Sequence, residues 1–160
     1  MKVTRLLKMY LPLVFVCVIV LCEMYPIFNP YIKKYFTIKG LEKDIKSMEI
    51  IVKKWSEFDY SYIYIDEEMY NENVITVGYR NHDDSITLDT DKSAYEYLLI
   101  DRKYEYITKS DSSICFIRYA FFGNGYGVAF SADGKEPRNE SIVSWEKIDG
   151  FDKWYFCVID

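Results

Sequence analysis

The feature that most constrains this chain is a run of 14 uncharged residues near its N terminus, from Met9 to Cys22. Three basic residues lie within the first eight positions, and the apolar character resumes after Glu23 as far as Phe28. A transmembrane helix needs about 20 predominantly apolar residues, and a carboxylate near the membrane surface can reach water or take up a proton. The sequence therefore predicts an uncleaved N-terminal transmembrane signal anchor over residues 1–28.

Two other fates of this segment stay open. A run of this length also suits the hydrophobic region of a cleaved signal peptide, although Val20 and Cys22, the residues nearest to a cleavage motif, are not the usual small pair. A lipoprotein signal would need a small residue before the cysteine, where this sequence has Leu21.

Charge alone does not fix the orientation of the anchor, because basic residues lie on both sides of it. Three precede the segment, and Lys33, Lys34 and Lys39 follow it. The short charged N terminus resembles the start of a signal sequence. We therefore expect a single-pass protein of the cell membrane with its C-terminal domain outside the cytoplasm. A cytoplasmic domain is the alternative.

Residues 29–39 are interpreted as a juxtamembrane stalk and residues 40–160 as one extracytoplasmic domain. From Gly40 to Phe58 the apolar residues recur at helical spacing, which predicts an amphipathic helix. Asp44 is assigned to the exposed, polar sides of this helix. Because two heptads are too few for a stable coiled coil, the helix is expected to pack on a sheet of its own domain. The apolar stripe consists of Leu41, Ile45, Met48, Val52 and Trp55.

The rest of the domain is predicted to form strands. The chain has 16 Tyr, 10 Phe and 3 Trp, residue types that favour a half-buried pleated surface. The fold class predicted is α+β, with the helix packed on an antiparallel sheet of about five or six strands. Residues 67–73 and 81–85 are interpreted as turns, residues 94–100 as a short helix or a strand, and residues 140–148 as ambiguous. Strands are predicted at residues 60–66, 74–80, 86–88, 104–109, 114–122, 126–131 and 154–159.

One of these strands is apolar on both sides. From Ile114 onward, Cys115, Ile117 and Tyr119 share one face, while the other face is apolar except for Arg118. A strand of this kind is usually central and covered on both faces. We expect the helix to cover one face, and the other is the natural place for a partner.

The net charge is −5, with most acidic residues after position 56. Nucleic-acid binding requires a basic surface to neutralise phosphates, so no nucleic-acid partner is expected.

The residues with catalytic or metal-binding potential form no recognisable site. His82 is the single histidine, too few for a zinc site of three or four ligands. The segment from Asp89 begins like a calcium loop but has Ala94 where glycine is needed and Ile100 where glutamate is needed. The glycines at 123, 125 and 127 precede a strand, not the helix that a phosphate site requires. No catalytic residue, metal or cofactor is predicted.

Two sets of side chains are kept as weaker candidates. Asp66, Glu67 and Glu68 are a possible pair or trio of acid–base carboxylates, although a charge run in a turn is usually solvated. Tyr60, Tyr62 and Tyr64 alternate along one predicted strand, where a row of tyrosines binds ligands in some proteins and packs across strands in most.

Four cysteines divide into two pairs. Cys17 and Cys22 lie in the N-terminal segment as small apolar residues. Cys115 and Cys157 lie in predicted strands of a domain expected in an oxidising compartment, where a disulfide between them is possible. Two buried free thiols are the alternative, because bridge geometry is strict and the strand order is not known from sequence.

One short region carries a resemblance. Residues 122–131, the Asp133-Gly134 pair and the terminal Trp154-Tyr155 pair are similar to segments of small membrane-anchored proteins of Gram-positive bacteria that have no assigned activity. The resemblance implies a bacterial surface setting. The missing catalytic motifs and the ordinary packing signals of the domain favour a non-catalytic extracytoplasmic module that binds a protein partner in an accessory, immunity-like or sensing role. The alternatives are a small envelope enzyme with a carboxylate site and a small subunit of a membrane complex.

Overall fold

The computed structural model describes residues 30–79, 82–88, 92–110, 112–119, 125–137 and 142–159. The predicted anchor over residues 1–28, with Cys17 and Cys22, lies outside the described residues. Within the described part of the chain, no helix combines the length and apolar character needed to cross a membrane. The chain divides into the units Met1–Tyr35 and Phe36–Asp160, and the contacts described below are between residues of the second unit.

The domain is α+β, as predicted, and its sheet is larger than expected. In the described residues eight strands form one sheet in the order β3-β2-β1-β4-β5-β6-β8-β7, with every pair antiparallel. The strands are Tyr62–Asp66 (β1), Val74–Tyr79 (β2), His82–Thr87 (β3), Tyr106–Ser110 (β4), Ser113–Tyr119 (β5), Gly125–Ser131 (β6), Ile142–Lys147 (β7) and Trp154–Ile159 (β8).

The long helix α1 runs from Pro30 to Ser56, so it begins inside the segment that was interpreted as a stalk. Leu41, Met48 and Trp55 of its apolar stripe are fully buried against one face of the sheet. The indole Nε1 of Trp55 donates a hydrogen bond of 2.8 Å to the hydroxyl of Tyr95, which gives the one polar atom of a buried ring a partner.

The C-terminal end of α1 is held by a lysine from the sheet. Lys109 Nζ on β4 donates to the carbonyl oxygens of Trp55 at 2.9 Å and Phe58 at 2.8 Å. The last carbonyls of a helix have no partner within the helix and carry partial negative charge. Lys109 therefore fixes the point at which the helix ends on the sheet. Partial burial lowers the pKa of Lys109.

Two segments predicted as turns are regular structure instead. Residues 67–73 contain the helix α2, Glu67–Glu72, whose first turn is capped by Asp66 accepting from the Met69 N–H at 2.9 Å. Residues 82–87 form β3, an edge strand that sequence had largely placed in a turn. Its residues are polar, and a strand paired on one side needs little apolar burial, so the sequence pattern was misleading.

Residues 93–101 form a short helix that changes type. Ser93–Tyr95 is α-helical (α3), and Glu96–Asp101 continues as a π-helix. Leu98 and Leu99 are buried in the same core as α1. A π-helix is rare and frequently occurs at functional sites, and this one leads directly into Arg102.

The two faces of the sheet carry separate apolar clusters. The face under α1 holds the larger core, to which Phe116 and Trp154 contribute. The opposite face, called the second face below, holds a smaller cluster of Cys115, Ile117, Ala129, Cys157 and Ile159.

Candidate functional site

The buried carboxylate of Asp44 on α1 accepts hydrogen bonds from side chains in the π-helix, in the segment that follows it and on β5. Asp44 is 0% exposed, although sequence analysis assigned it to a polar side of the helix; that assignment was wrong. Its Oδ1 accepts from Tyr97 Oη at 3.1 Å and Arg102 Nε at 2.7 Å. Its Oδ2 accepts from Arg102 Nη2 at 3.3 Å, Tyr104 Oη at 2.9 Å and Arg118 Nη2 at 3.5 Å. We call these five residues the Asp44 cluster.

The tyrosines of the cluster are fixed as donors. Burial raises the pKa of Tyr104 well above its ordinary value, and the negative charge of Asp44 adds to the effect. The pKa of Tyr97 is raised for the same two reasons. Both hydroxyls therefore stay protonated and keep donating to Asp44 at ordinary pH. The hydrogen bond from Arg102 to Asp44 raises the pKa of Arg102, so the guanidinium stays charged.

Arg118 is the one charged residue of the otherwise apolar strand β5. Its side chain points to the face of the sheet that α1 covers. Its guanidinium carbon lies 4.2 Å from the ring centroid of Tyr104, a cation–π contact. The side chain is 21% exposed, yet its Nε is buried and has no hydrogen-bond partner in the described part of the chain. Arg118 is thus held in place by weak contacts, and its Nε–H is a hydrogen-bond donor that these contacts do not use.

Glycine at position 40 makes room for the cluster. Gly40 lies one turn before Asp44 on α1, and a Cβ there would stand 3.3 Å from Arg102 Nη2. That is closer than most real Cβ contacts, so the absence of a side chain at Gly40 lets Arg102 Nη2 approach the helix backbone. Sequence analysis gave Gly40 no role beyond the start of a helix.

A second candidate region lies at the β7 end of the sheet. A groove of about 610 Å³ is lined by residues 134–137 with Trp145, Lys147 and Tyr155. The Trp145 ring packs edge-on against Tyr155, with centroids 6.0 Å apart, and Tyr155 Oη donates to the Gly134 carbonyl at 2.7 Å. We call this the β7 groove. Tyr155 alternates with Trp154, which packs under α1, so the groove opens on the second face.

Strand β7 is exposed along most of its length. It pairs with β8 alone among the described strands, which leaves its outer edge available for pairing. Val143 is 66% exposed and Trp145 is 42% exposed. Large apolar residues on an edge strand promote pairing with another chain, and edge strands usually carry charges that prevent it. Strand β7 also carries Glu146 and Lys147, and the opposite edge, β3, has no exposed large apolar residue among its described side chains.

Cys115 and Cys157 are both buried free thiols on the second face. Their strands are not neighbours, because β6 lies between them, pairing Cys115 with Ala129 and Cys157 with Gly127. The disulfide hypothesis assumed neighbouring strands, and the sheet order is different. The two thiols still interact across β6: their hydrogen bond, together with burial, raises the pKa of Cys157 well above its ordinary value.

The remaining sequence candidates are dispersed. Asp66 caps α2, and Glu67 makes an exposed 3.4 Å ion pair with Lys103. Tyr64 stacks near Tyr106 with centroids 5.3 Å apart, while Tyr60 precedes β1 and packs on the main core, so the tyrosine row is broken.

Three other features are only partly visible. His82 opens β3, paired with Tyr79. The calcium-like segment at 89–91 and Gly123 lie outside the described residues.

Comparison of the chain with protein-family models, curated proteins and solved structures gives no match.

Proposed function

We propose that the chain is a membrane-anchored protein whose C-terminal domain lies outside the cytoplasm and binds a partner protein without catalysing a reaction. The location rests on the N-terminal sequence, and the binding rests on the exposed strand β7. We commit to one mode of binding: an extended segment of the partner adds to the outer edge of β7. In strand addition, main-chain hydrogen bonds supply affinity and pockets for alternate side chains supply specificity.

The contrast between the two sheet edges is the observation that carries this proposal. Both β3 and β7 are paired on one side within the described strands. Among its described side chains β3 has no exposed large apolar residue, while β7 presents Val143 and Trp145 beside the charged Glu146 and Lys147. Exposed large apolar residues on a sheet edge are a liability unless a partner covers them.

The β7 groove supports a specific kind of partner segment. Trp145, which is exposed and packs against the buried Tyr155, offers an aromatic surface for an apolar side chain, and Trp is a common anchor in interfaces. Lys135 and Lys147 line the groove with a single acidic residue, Glu136, on a chain whose net charge is −5. Within the described residues, the two lysines form exposed ion pairs of 3.8 Å with Asp133 and 3.6 Å with Asp152, which contribute little. We therefore infer a partner segment with an apolar residue next to an acidic one.

The test uses a photo-crosslinking amino acid placed in the full-length chain in its native cells. Replacing Val143 should capture one polypeptide through an extended segment, identified by mass spectrometry. A probe at Ser85 on β3, also exposed, is the matched control and should capture little. Equal capture at both edges, or a helical contact segment, would contradict strand addition at β7.

The affinity of that segment gives the second measurement. A synthetic peptide with its sequence should bind the purified chain, and Trp145→Ala should weaken binding by roughly 10-fold or more, the effect of an interface anchor worth over 1.4 kcal/mol. Ser85→Ala should leave the affinity unchanged. Unchanged binding by the Trp145 variant would remove the groove from the interface.

Location is tested separately. Protease added to intact cells should remove residues 36–160 and leave an anchored fragment that still contains Met1. A domain that is protected until the cells are lysed would contradict the outside location but would leave the β7 proposal open.

A further inference from the structure

The Asp44 cluster contains more positive than negative charge. Arg102 and Arg118 together contribute two positive charges and Asp44 one negative charge, so the excess is one positive charge. Burying a charge is unfavourable unless a partner compensates for it. Within the described residues, the cluster has one carboxylate to serve two guanidinium groups.

The hydrogen bonds show the same imbalance. An arginine side chain has five N–H donors. Arg102 directs two of its nitrogens to Asp44, at 2.7 and 3.3 Å, whereas Arg118 reaches it with a single contact of 3.5 Å. Asp44 already accepts two tyrosine hydroxyls, so its oxygens have little capacity left for Arg118. A buried donor without a partner, as the Nε of Arg118 is, calls for a bound water or ion.

A second unpaired group lies on the same side of α1. Thr37 is 2% exposed, and its Oγ1 also has no partner in the described part of the chain. Thr37, Gly40 and Asp44 follow one another at spacings of three and four residues, which places them on one face of the helix. Gly40, where a Cβ would stand 3.3 Å from Arg102 Nη2, thus lies on the helix face that also carries the unpaired hydroxyl of Thr37.

We propose that Arg102 and Arg118 bind the carboxylate group of an organic acid or of a peptide, with Thr37 as an additional donor. One carboxylate supplies the single negative charge that the cluster lacks, and its two oxygens match the paired N–H groups of arginine. A phosphate at neutral pH would bring more negative charge next to the buried Asp44. The exposures of 30% for Arg102 and 21% for Arg118 give such a ligand a route from solvent. This site is separate from the β7 groove, so either can fail without the other.

The experiment follows the Arg118 Nε–H resonance in the full-length chain labelled with ¹⁵N-arginine, using sodium acetate as the probe. Acetate should shift this resonance in a saturable way, while sodium chloride at equal ionic strength should not. Sodium phosphate should act more weakly than acetate at equal concentration. Thr37→Val, which keeps size and removes the hydroxyl, should weaken acetate binding several-fold with an unchanged circular dichroism spectrum.

A second variant is expected to strengthen acetate binding, a result that a loss of folding could not produce. The charge of the exposed Asp101 acts on Tyr97, so Asp101→Asn should strengthen acetate binding by removing a repulsion. Equal shifts with acetate and chloride would mean general screening and would overturn the proposal. So would an Arg118 resonance that no anion moves, because water would then satisfy the guanidinium. Tighter binding of phosphate would overturn the assignment to a carboxylate.

Discussion

The Nη2 of Arg118 on β5 lies 3.5 Å from the Oδ2 of Asp44 on α1. Each residue is the charge that interrupts an otherwise apolar surface, one on the strand and one on the helix. Their contact joins the two layers of the domain at a defined point along the helix. We infer that this contact fixes the alignment of the two layers, as buried charged groups do in some proteins.

Replacing Asp44 by Asn should destabilise the domain. The substitution keeps the shape of the side chain but leaves both arginines without their buried anion, which costs about 3 kcal/mol. Urea unfolding of the full-length chain, followed by tryptophan fluorescence, measures the effect. Glu49→Gln removes the same charge from an exposed position on the same helix and should stay within about 0.5 kcal/mol. Similar losses in the two variants would show that Asp44 has no special role.

Trp55→Ala should be among the most damaging single substitutions. The ring is 0% exposed and its N–H is bonded to Tyr95, so truncation leaves a cavity and should cost about 3–5 kcal/mol. Lys53→Ala, on the exposed side of the same turn, should change stability by less than about 0.5 kcal/mol. Thermal and urea unfolding should rank the two variants in the same order. Comparable effects would mean that the buried face of α1 is assigned incorrectly.

Lys109→Met tests the attachment of the helix end. Methionine retains the aliphatic stem but loses two hydrogen bonds to carbonyls, which should cost about 1–3 kcal/mol. Hydrogen exchange should speed up in the last turn of α1, because that turn loses its tie to β4. Lys92→Met, at an exposed position, is the control. Unchanged exchange near Ser56 would rule out a capping role for Lys109.

Thiol labelling addresses Cys115 and Cys157 in a background of Cys17→Ala and Cys22→Ala. Native chains should resist iodoacetamide, because both thiols are buried and the raised pKa keeps Cys157 protonated. Unfolding without a reductant should then expose two reactive thiols. If labelling instead required prior reduction, a disulfide would be present and β5 and β8 would have to be closer than the sheet order allows.

Sequence periodicity predicted the parts of the fold that repeat. The stripe of Leu41, Met48 and Trp55 and the strand Trp154–Ile159 were predicted correctly because burial of one helix face or of a central strand leaves a regular apolar pattern. Strand β3 was largely missed because its residues are polar. The π-helix at Glu96–Asp101 has no sequence signature that distinguishes it from an α-helix or a short strand.

The Asp44 cluster was invisible to sequence for a different reason. In the sequence, Asp44 is one charged residue of the helix among others, such as Lys43 and Lys46. It differs from them only in the side chains that it contacts after folding. Its donors Tyr97, Arg102 and Arg118 lie 53, 58 and 74 residues away in the chain. The sequence showed Arg118 as a charge on an apolar strand face. A search for an acidic residue on the buried face of the covering helix would have led from Arg118 to Asp44.

The order of the strands has a consequence for how the molecule is completed during synthesis. The exposed strand β7 is joined to the sheet only through β8 in the described strands, and β8 contains the last described residues of the chain. We expect β1 to β6 to assemble while the C terminus is still being made, since most of their pairings are between neighbours in sequence. A chain ending at Gly150 should therefore retain a six-stranded sheet but fail to hold β7. Among the described strands, β7 would therefore join the sheet last, after β8 has been made.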